Sequence, residues 1–428
     1  MESSVNNNKI RVLWLCNLMP SFVGNDIGKP GTNKEGWIAG MYGEVKKHDD
    51  IILAIAYPDK EVYSGNTDNY FYYAFKEDGN RPEDFDVELK MGLNDICESF
   101  KPDVIHCFGT EYAHTRALLE NEKYGHRALI HLQGIMEICY EKYYVDLPTE
   151  VINHNTFRDR IKKDGIKQQK EKFGIRAKHE AVTISCARNI CGRTDFDRDY
   201  SKKKNPSAEY YRLNETLRDS FYEGESWSHE KCISHRIFVS QGNYPLKGLH
   251  TVIKAVGILK DKYPDISLYV TGDDIVRDNS LKNKIREPEY GRYLKALIKK
   301  NGIEDKVHFL GQKNASEMKE QMLLCNVFAL PSFVENSPNS LGEAMILGVP
   351  SVCTNTCGIP SLADDKEEVL MFTPGDAGML SEKITELFDN KSLCISLSDK
   401  ARKRANNTHN REQNYSDALN IYRQIAMK

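Results

Sequence analysis

Short apolar runs recur along the chain, and most are followed by residues spaced for one face of a helix. Ile10-Arg11-Val12-Leu13-Trp14-Leu15-Cys16 reads as a buried strand. A loop rich in glycine, asparagine and proline runs from Met19 to Gly36, and a helical pattern starts near Trp37. Further strands are predicted at Ile51–Tyr57, Tyr70–Phe75, Val104–Phe108 and Ala128–Leu132. From Phe157 to Glu180 the pattern turns polar, basic and helix-like, followed by a strand-like AVTISC (181–186) and a turn, CGRTDFDRDY. A second series opens with the strand Ile237–Ser240, the loop QGNYPLKG and a helix His250–Lys260. It continues with strands Ser267–Thr271, Val307–Leu310, Val327–Ala329 and Pro350–Cys353. Helices are predicted at Tyr290–Lys300, Ser316–Leu324 and Asn339–Leu347. Alternation of this kind implies parallel sheets with helices on both faces.

Two such series in one chain predict two Rossmann-like halves, with a ligand cleft where both offer their C-terminal strand ends. The polar, aromatic stretch 214–230 reads as the approach to a linker. The expected division is 1–228, an acceptor-binding half; 229–408, a nucleotide-binding half; and 409–428, an amphipathic helix returning to the first half.

Composition narrows the function. With 428 residues, 40% hydrophobic and 28% charged, the chain can build more than one core. A net charge of −3 excludes a protein that holds nucleic acid by bulk charge. The 11 cysteines are odd in number and many sit in apolar runs such as VIHCFG, the usage of a reducing compartment. Neither Cys186/Cys191 nor Cys353/Cys357 has the second pair or flanking histidines of a zinc site, so no metal is expected. The polar N-terminus and the lack of a long apolar run predict a cytoplasmic protein.

The segment Leu330–Pro350, LPSFVENSPNSLGEAMILGVP, carries the most chemistry. Glu335 falls in the loop after a strand, and Glu343, beyond seven intervening residues, in the first turns of the next helix. Amides at such a helix start form an anion site, and a carboxylate there can accept two hydrogen bonds from a vicinal diol. The run Asn336-Ser337-Pro338-Asn339 offers turn and N-cap chemistry. The loop Gly109–His114 follows a predicted strand, which places Glu111 and His114 at its C-terminal end. Gly24, Gly28, Gly31 and Gly36 would let backbone approach a phosphate or an acceptor sugar. No G-x-G-x-x-G is present, which disfavours a nicotinamide cofactor. Asp195 and Asp197 form a D-x-D read here as a turn cap paired with Arg193 or Arg198, and Asp273-Asp274 is open to a place near the nucleotide. The basic stretch Arg158–His179 has only Ile161, Ile166, Phe173 and Ile175 as apolar anchors. A solvated helix is the favoured reading, with weak peripheral membrane contact left open.

Glu335-x7-Glu343 together with Tyr244-Pro245-Leu246-Lys247-Gly248 resembles the family-4 retaining glycosyltransferases, enzymes of the GT-B fold. The likeness extends along the chain: Pro102–His106 resembles the family's N-domain strand and Val307–Gly311 its base-binding strand and loop. It implies that Glu343 binds the ribose diol of a UDP- or GDP-sugar and that Glu335 contacts the transferred sugar. Asn336, Ser337, Asn339 and Ser340 would face sugar and diphosphate, with Gly242, Asn243, Gly311 and Gln312 lining the nucleotide. Lys247 would neutralise the leaving diphosphate without a metal. The family's usual arginine before the lysine falls on Gly242, and Arg193 stands as a substitute cation. Its usual histidine falls on Gln133, beside Gly134, with His131 and His114 nearby. The implied reaction is transfer, with retention, to a hydroxyl of a carbohydrate or lipid-linked acceptor, with no cofactor. Epimerisation or phosphorolysis on the same fold, and a non-catalytic sugar-binding subunit, are the alternatives; an oxidoreductase is disfavoured.

Overall fold

A computed structural model describes residues 9–29, 36–78, 81, 83–85, 87–276 and 280–428. The chain forms two compact units. The first comprises residues up to 136, 175–218 and 409–428, and the second comprises 137–174 and 219–408. The expected first half, 1–228, therefore contributes residues 137–174 and 219–228 to the second unit.

The first unit is built on an eight-stranded sheet. Its strands are β1 (Ile10–Leu15), β2 (Ile51–Asp59), β3 (Tyr63–Asn66), β4 (Tyr70–Lys76), β5 (Val104–Phe108), β6 (Ala128–His131), β7 (Asn189–Gly192) and β8 (Glu209–Arg212). Their order is β3-β4-β2-β1-β5-β6-β7-β8, parallel throughout except for the β3–β4 hairpin. Alternate residues of β1 serve opposite faces. Val12 and Trp14 join one core with the Arg411–Ala426 helix, whereas Leu13 and Leu15 join another beneath the Val87–Phe100 helix. Covering both faces explains why the central strands are almost wholly apolar.

Three local expectations change. AVTISC is the end of a helix, Ile166–Cys186, not a strand. Its β-branched residues suggested extension, but the buried positions 179, 180, 183, 184 and 187 follow helical spacing. The stretch read as a turn instead supplies β7 and a helix, Asp195–Lys204. Thr194 and Asp197 start this helix with a reciprocal capping box, so the D-x-D is a cap. Asp195 pairs with Arg198 and Arg212 at 2.9 and 3.3 Å. Third, Gly24 lies in a short helix, Ser21–Asp26, rather than an open loop. Gly31 lies outside the described residues.

The second unit has a six-stranded, all-parallel sheet in the order β11-β10-β9-β12-β13-β14. Its strands are β9 (Arg236–Val239), β10 (Ser267–Val270), β11 (Val307–Phe309), β12 (Val327–Leu330), β13 (Ser351–Thr354) and β14 (Leu370–Phe372). Residues 137–174 add helices, of which those before 157 were not assigned and those from 157 were expected within the first half. They are held by Asp146, which accepts from His250 at 2.6 Å and Lys254 at 2.8 Å, and by His154 on Glu289 at 2.5 Å. The Asp159 carboxylate accepts the Glu289 amide at 2.9 Å. Each sheet reverses its strand order once, between β1 and β5 in the first unit and between β9 and β12 in the second. In open α/β sheets such reversals leave a crevice beyond the carboxyl ends of the strands.

Candidate functional site

In the second unit, the loops after β9 and β12 meet at that crevice. Gly248 takes φ +69° and a Cβ there would strike the Pro331 carbonyl, so only glycine lets the 245–247 turn lie against the β12 loop. Phe333 N–H donates to the Leu246 carbonyl at 2.8 Å, and Thr354 and Thr356 hydroxyls hold the Ser332 and Phe333 carbonyls at 2.6 and 3.1 Å. Glu335 is presented on this pinned loop. Its Oε1 accepts from Lys247 Nζ at 2.6 Å and from Ser332 Oγ at 2.7 Å. The two side chains are only 18% and 10% exposed. Burial pulls the Lys247 pKa down, but Glu335 and then Tyr244 outweigh it and hold the ammonium charged.

The Asn339–Leu347 helix begins at the end of the same loop. Its N-cap is Pro338, which provides no side-chain hydrogen bond, so the expected polar cap is absent and Asn339 is the first helical residue. The Leu341 amide donates to the Pro338 carbonyl at 3.1 Å, and the positive end of the helix dipole lies at this loop. Ser340 follows, and Glu343 is buried one turn further in.

The nucleotide-side candidates converge on a residue left ambiguous by the sequence, Asp273, after β10. Its carboxylate accepts from Asn243 Nδ2 at 3.2 Å and from Gln312 Nε2 at 2.5 Å, tying together the loops after β9, β10 and β11. Gly272 N–H donates to the Gly311 carbonyl at 3.1 Å. Gly311 has φ +69° with open space where a Cβ would be, and Gly242 abuts the Leu249 side chain. Ser332 was not singled out from the sequence, although it falls just after β12.

In the first unit, the loops after β1 and β5 meet at the equivalent crevice. Asn17 Nδ2 donates to Glu111 Oε1 at 2.8 Å, and the Thr110 amide donates to Oε2 at 2.8 Å. Gly109, at φ +106°, leaves no room for a Cβ against Glu111 and Asn17, so the carboxylate folds back on the turn. Burial pushes the Glu111 carboxyl up, opposed by the backbone amides of Glu111 and Thr110. His114 is fully buried, with Nε2 on Asn17 Oδ1 at 3.0 Å and Nδ1 between the Glu77 oxygens at 3.1 and 3.2 Å. Both ring nitrogens therefore face acceptors, and His114 braces Glu111 through Asn17 instead of presenting itself. Asn17 and Glu77 were not foreseen; only their positions after β1 and β4 hinted at them.

Arg193 is buried and pairs with Glu215 at 2.8 Å, and Gln133 Nε2 donates to the same carboxylate at 2.7 Å. Gly134 has only the Met136 methyl near its missing Cβ, and Gly36 starts a helix against the Arg218 side chain. Among the described residues, His106, His131 and Cys191 bring three potential ligand atoms within 4.8 Å. His106 Nε2 and His131 Nδ1, however, lie 3.2 Å apart with ring centroids 5.3 Å apart. The nitrogens face each other head on, as in a hydrogen bond, instead of converging on a third point. His106 Nδ1 lies 2.6 Å from the Tyr422 hydroxyl.

Residues 230–404 match the family described as Glycosyl transferases group 1. The chain is 27% identical over 172 residues to an uncharacterized glycosyltransferase of Haemophilus influenzae, covering 40% of this chain and 44% of that protein. It is 26% identical over 180 residues to the capsular polysaccharide biosynthesis glycosyltransferase CapM of Staphylococcus aureus, covering 41% and 42%. The chain thus spans less than half the length of these curated relatives. The solved structure of Anabaena HepE with UDP-glucose matches with a TM-score of 0.64 at 14% identity, over 96% of this chain and 99% of that one. The likeness establishes the fold: mixed α/β of the GT-B type, with two sheets of mainly parallel strands.

Proposed function

We propose that this protein is a glycosyltransferase that moves a sugar from a UDP- or GDP-sugar to a hydroxyl of a carbohydrate or lipid-linked acceptor, with retention of configuration. The observation that carries this reading is the Lys247–Glu335 pair, at the strand-order reversal and beside a helix start with no side-chain cap. Breaking a glycosyl–phosphate bond leaves negative charge on the diphosphate, and a fixed ammonium with helix amides meets it without a metal. In this reading Lys247 bears on the leaving group and Glu335 on the sugar. Glu343 takes the ribose diol, while Gly242, Asn243, Gly311 and Gln312 line the nucleotide. On the acceptor side Glu111 is the presented carboxylate, His114 its support, and Gln133, Gly134 and Arg193 the surrounding polar shell. The matching group 1 segment contains every donor-side residue named. The CapM relative supports a polysaccharide acceptor, and the UDP-glucose bound to HepE supports a uridine donor. A lipid-linked acceptor would place the enzyme on the cytoplasmic face of a membrane.

The test is thermal stabilisation by a panel of nucleoside diphosphates. A ligand at a hundred times its Kd adds about 2.7 kcal/mol. UDP or GDP is expected to stabilise the wild type, with or without EDTA, and Glu343→Ala to lose most of the shift. No shift with any nucleotide, or one that EDTA removes, counts against the donor or the metal-free chemistry respectively. Conversion of donor without an acceptor would point to an epimerase instead.

A further inference from the structure

The basic stretch that opens the 157–186 region does not form one solvated helix. It breaks at Lys163, which takes φ +49°, into a short helix, Phe157–Lys162, and the long helix beginning at Ile166. Two of the four apolar anchors turn inward: Ile166 is buried, and Phe173 packs 5.2 Å from Tyr143. The short helix does the opposite. Phe157 and Ile161, one turn apart, are 61% and 66% exposed. The neighbouring Leu281–Arg286 helix packs on it and carries Ile285, 53% exposed.

The orientation is fixed rather than frayed. Thr156 and Asp159 form a capping box at the helix start. Asp159 also accepts the Glu289 amide, and Arg158 spans Asp159 and Asp164 at 2.9 Å each. With its polar inner side committed, the helix can only present Phe157 and Ile161 outward. Around them stand Arg160, Lys162, Lys163 and Lys167, all exposed, their side chains with no hydrogen-bond or ion-pair partner among the described residues. Residues 157–172 hold seven Lys or Arg against three Asp or Glu, in a chain of net charge −3.

We propose that this face of the second unit docks on an anionic lipid bilayer. Phe157, Ile161 and Ile285 insert at the headgroup boundary, and the unpaired cations lie over acidic lipid headgroups. Large apolar side chains ringed by unpaired cations match an interface that is oily below and negative above. An acidic protein or a second copy of this chain would answer to the same charge, and both are outcomes of the test.

The experiment is co-sedimentation of the full chain with vesicles of phosphatidylglycerol and phosphatidylcholine, against phosphatidylcholine alone. Binding is expected only to the anionic vesicles, and to weaken as salt rises. The Phe157→Ser/Ile161→Ser double variant is expected to bind about tenfold more weakly, as is Lys162→Glu/Lys167→Glu. All four positions are exposed, so folding is not at stake, and an unchanged melting temperature verifies this. Equal binding to neutral vesicles, no binding, or wild-type binding by both variants overturns the proposal. So does a concentration-dependent dimer in sedimentation velocity that Phe157→Ser/Ile161→Ser abolishes, since the face would then join copies. Nucleotide stabilisation reads the sugar-transfer proposal separately: the vesicle variants should keep the full shift, and Glu343→Ala should keep vesicle binding.

Discussion

The two strand-order reversals share one topology and are furnished with opposite chemistry. After β9 and β12, a partly buried lysine is held charged by Glu335 and stands beside a helix whose N-cap is a proline. After β1 and β5, a carboxylate is held by Asn17 and an amide, backed by His114 and Glu77. Under the proposed function, one crevice would receive negative charge and the other would accept hydrogen bonds from hydroxyls. The fold thus decides where ligands bind, while loop residues decide their sign.

The sharpest way to break this contrast is Lys247→Ala. Transfer with the donor identified by the nucleotide panel should fall about 100- to 1000-fold in kcat, by analogy with loss of one oxyanion donor. A loss of substrate affinity alone, with kcat intact, would show that the lysine only binds. Glu111→Gln comes next. It should lower transfer by about 100-fold, the scale of a positioned acid–base group, while the nucleotide melting shift stays whole. A lost shift would place Glu111 on the donor side.

Smaller effects probe how the carboxylate is held. Asn17→Ala leaves His114 and Glu111 without their shared partner and should cost about 1–3 kcal/mol in denaturant unfolding. Acid should also loosen the first unit. Burial lowers His106 to about 3 and His409 to about 4, both in the first unit. Those depressed values mean the folded state resists protons that the unfolded chain takes up near pH 6.5. The stability they contribute is full above that pH and is lost as pH falls toward 4. A melting series from pH 7.5 to 4 should show the first unit loosening, and His409→Gln should flatten the decline. The smallest change expected is Thr194→Ala, about 1 kcal/mol for one lost cap.

Much of this was legible in the sequence because it rests on short-range signals. Val12 to Leu15 and Val327 to Leu330 are apolar on both faces, as central parallel strands must be. Lys247 and Glu335 stand in loops bounded by glycine and by strand ends. The supports were not legible, because they are long-range. Asn17 meets Glu111 across 94 residues, and Asp146 meets His250 across 104. No local pattern marks an ordinary asparagine or aspartate for such a partner. AVTISC was misread for the complementary reason: β-branched composition favours a strand, and tertiary burial along one helical stripe overrides it.

The chain passes between the two units four times, after residues 136, 174, 218 and 408. Tyr422, which seals His106, is reached only after the whole 219–408 stretch has been synthesised. On a ribosome, where folding ordinarily proceeds from the N-terminus, the later unit can finish first while the earlier one waits for its last helix. The first core therefore closes only with residues that follow the whole of the second unit in the chain.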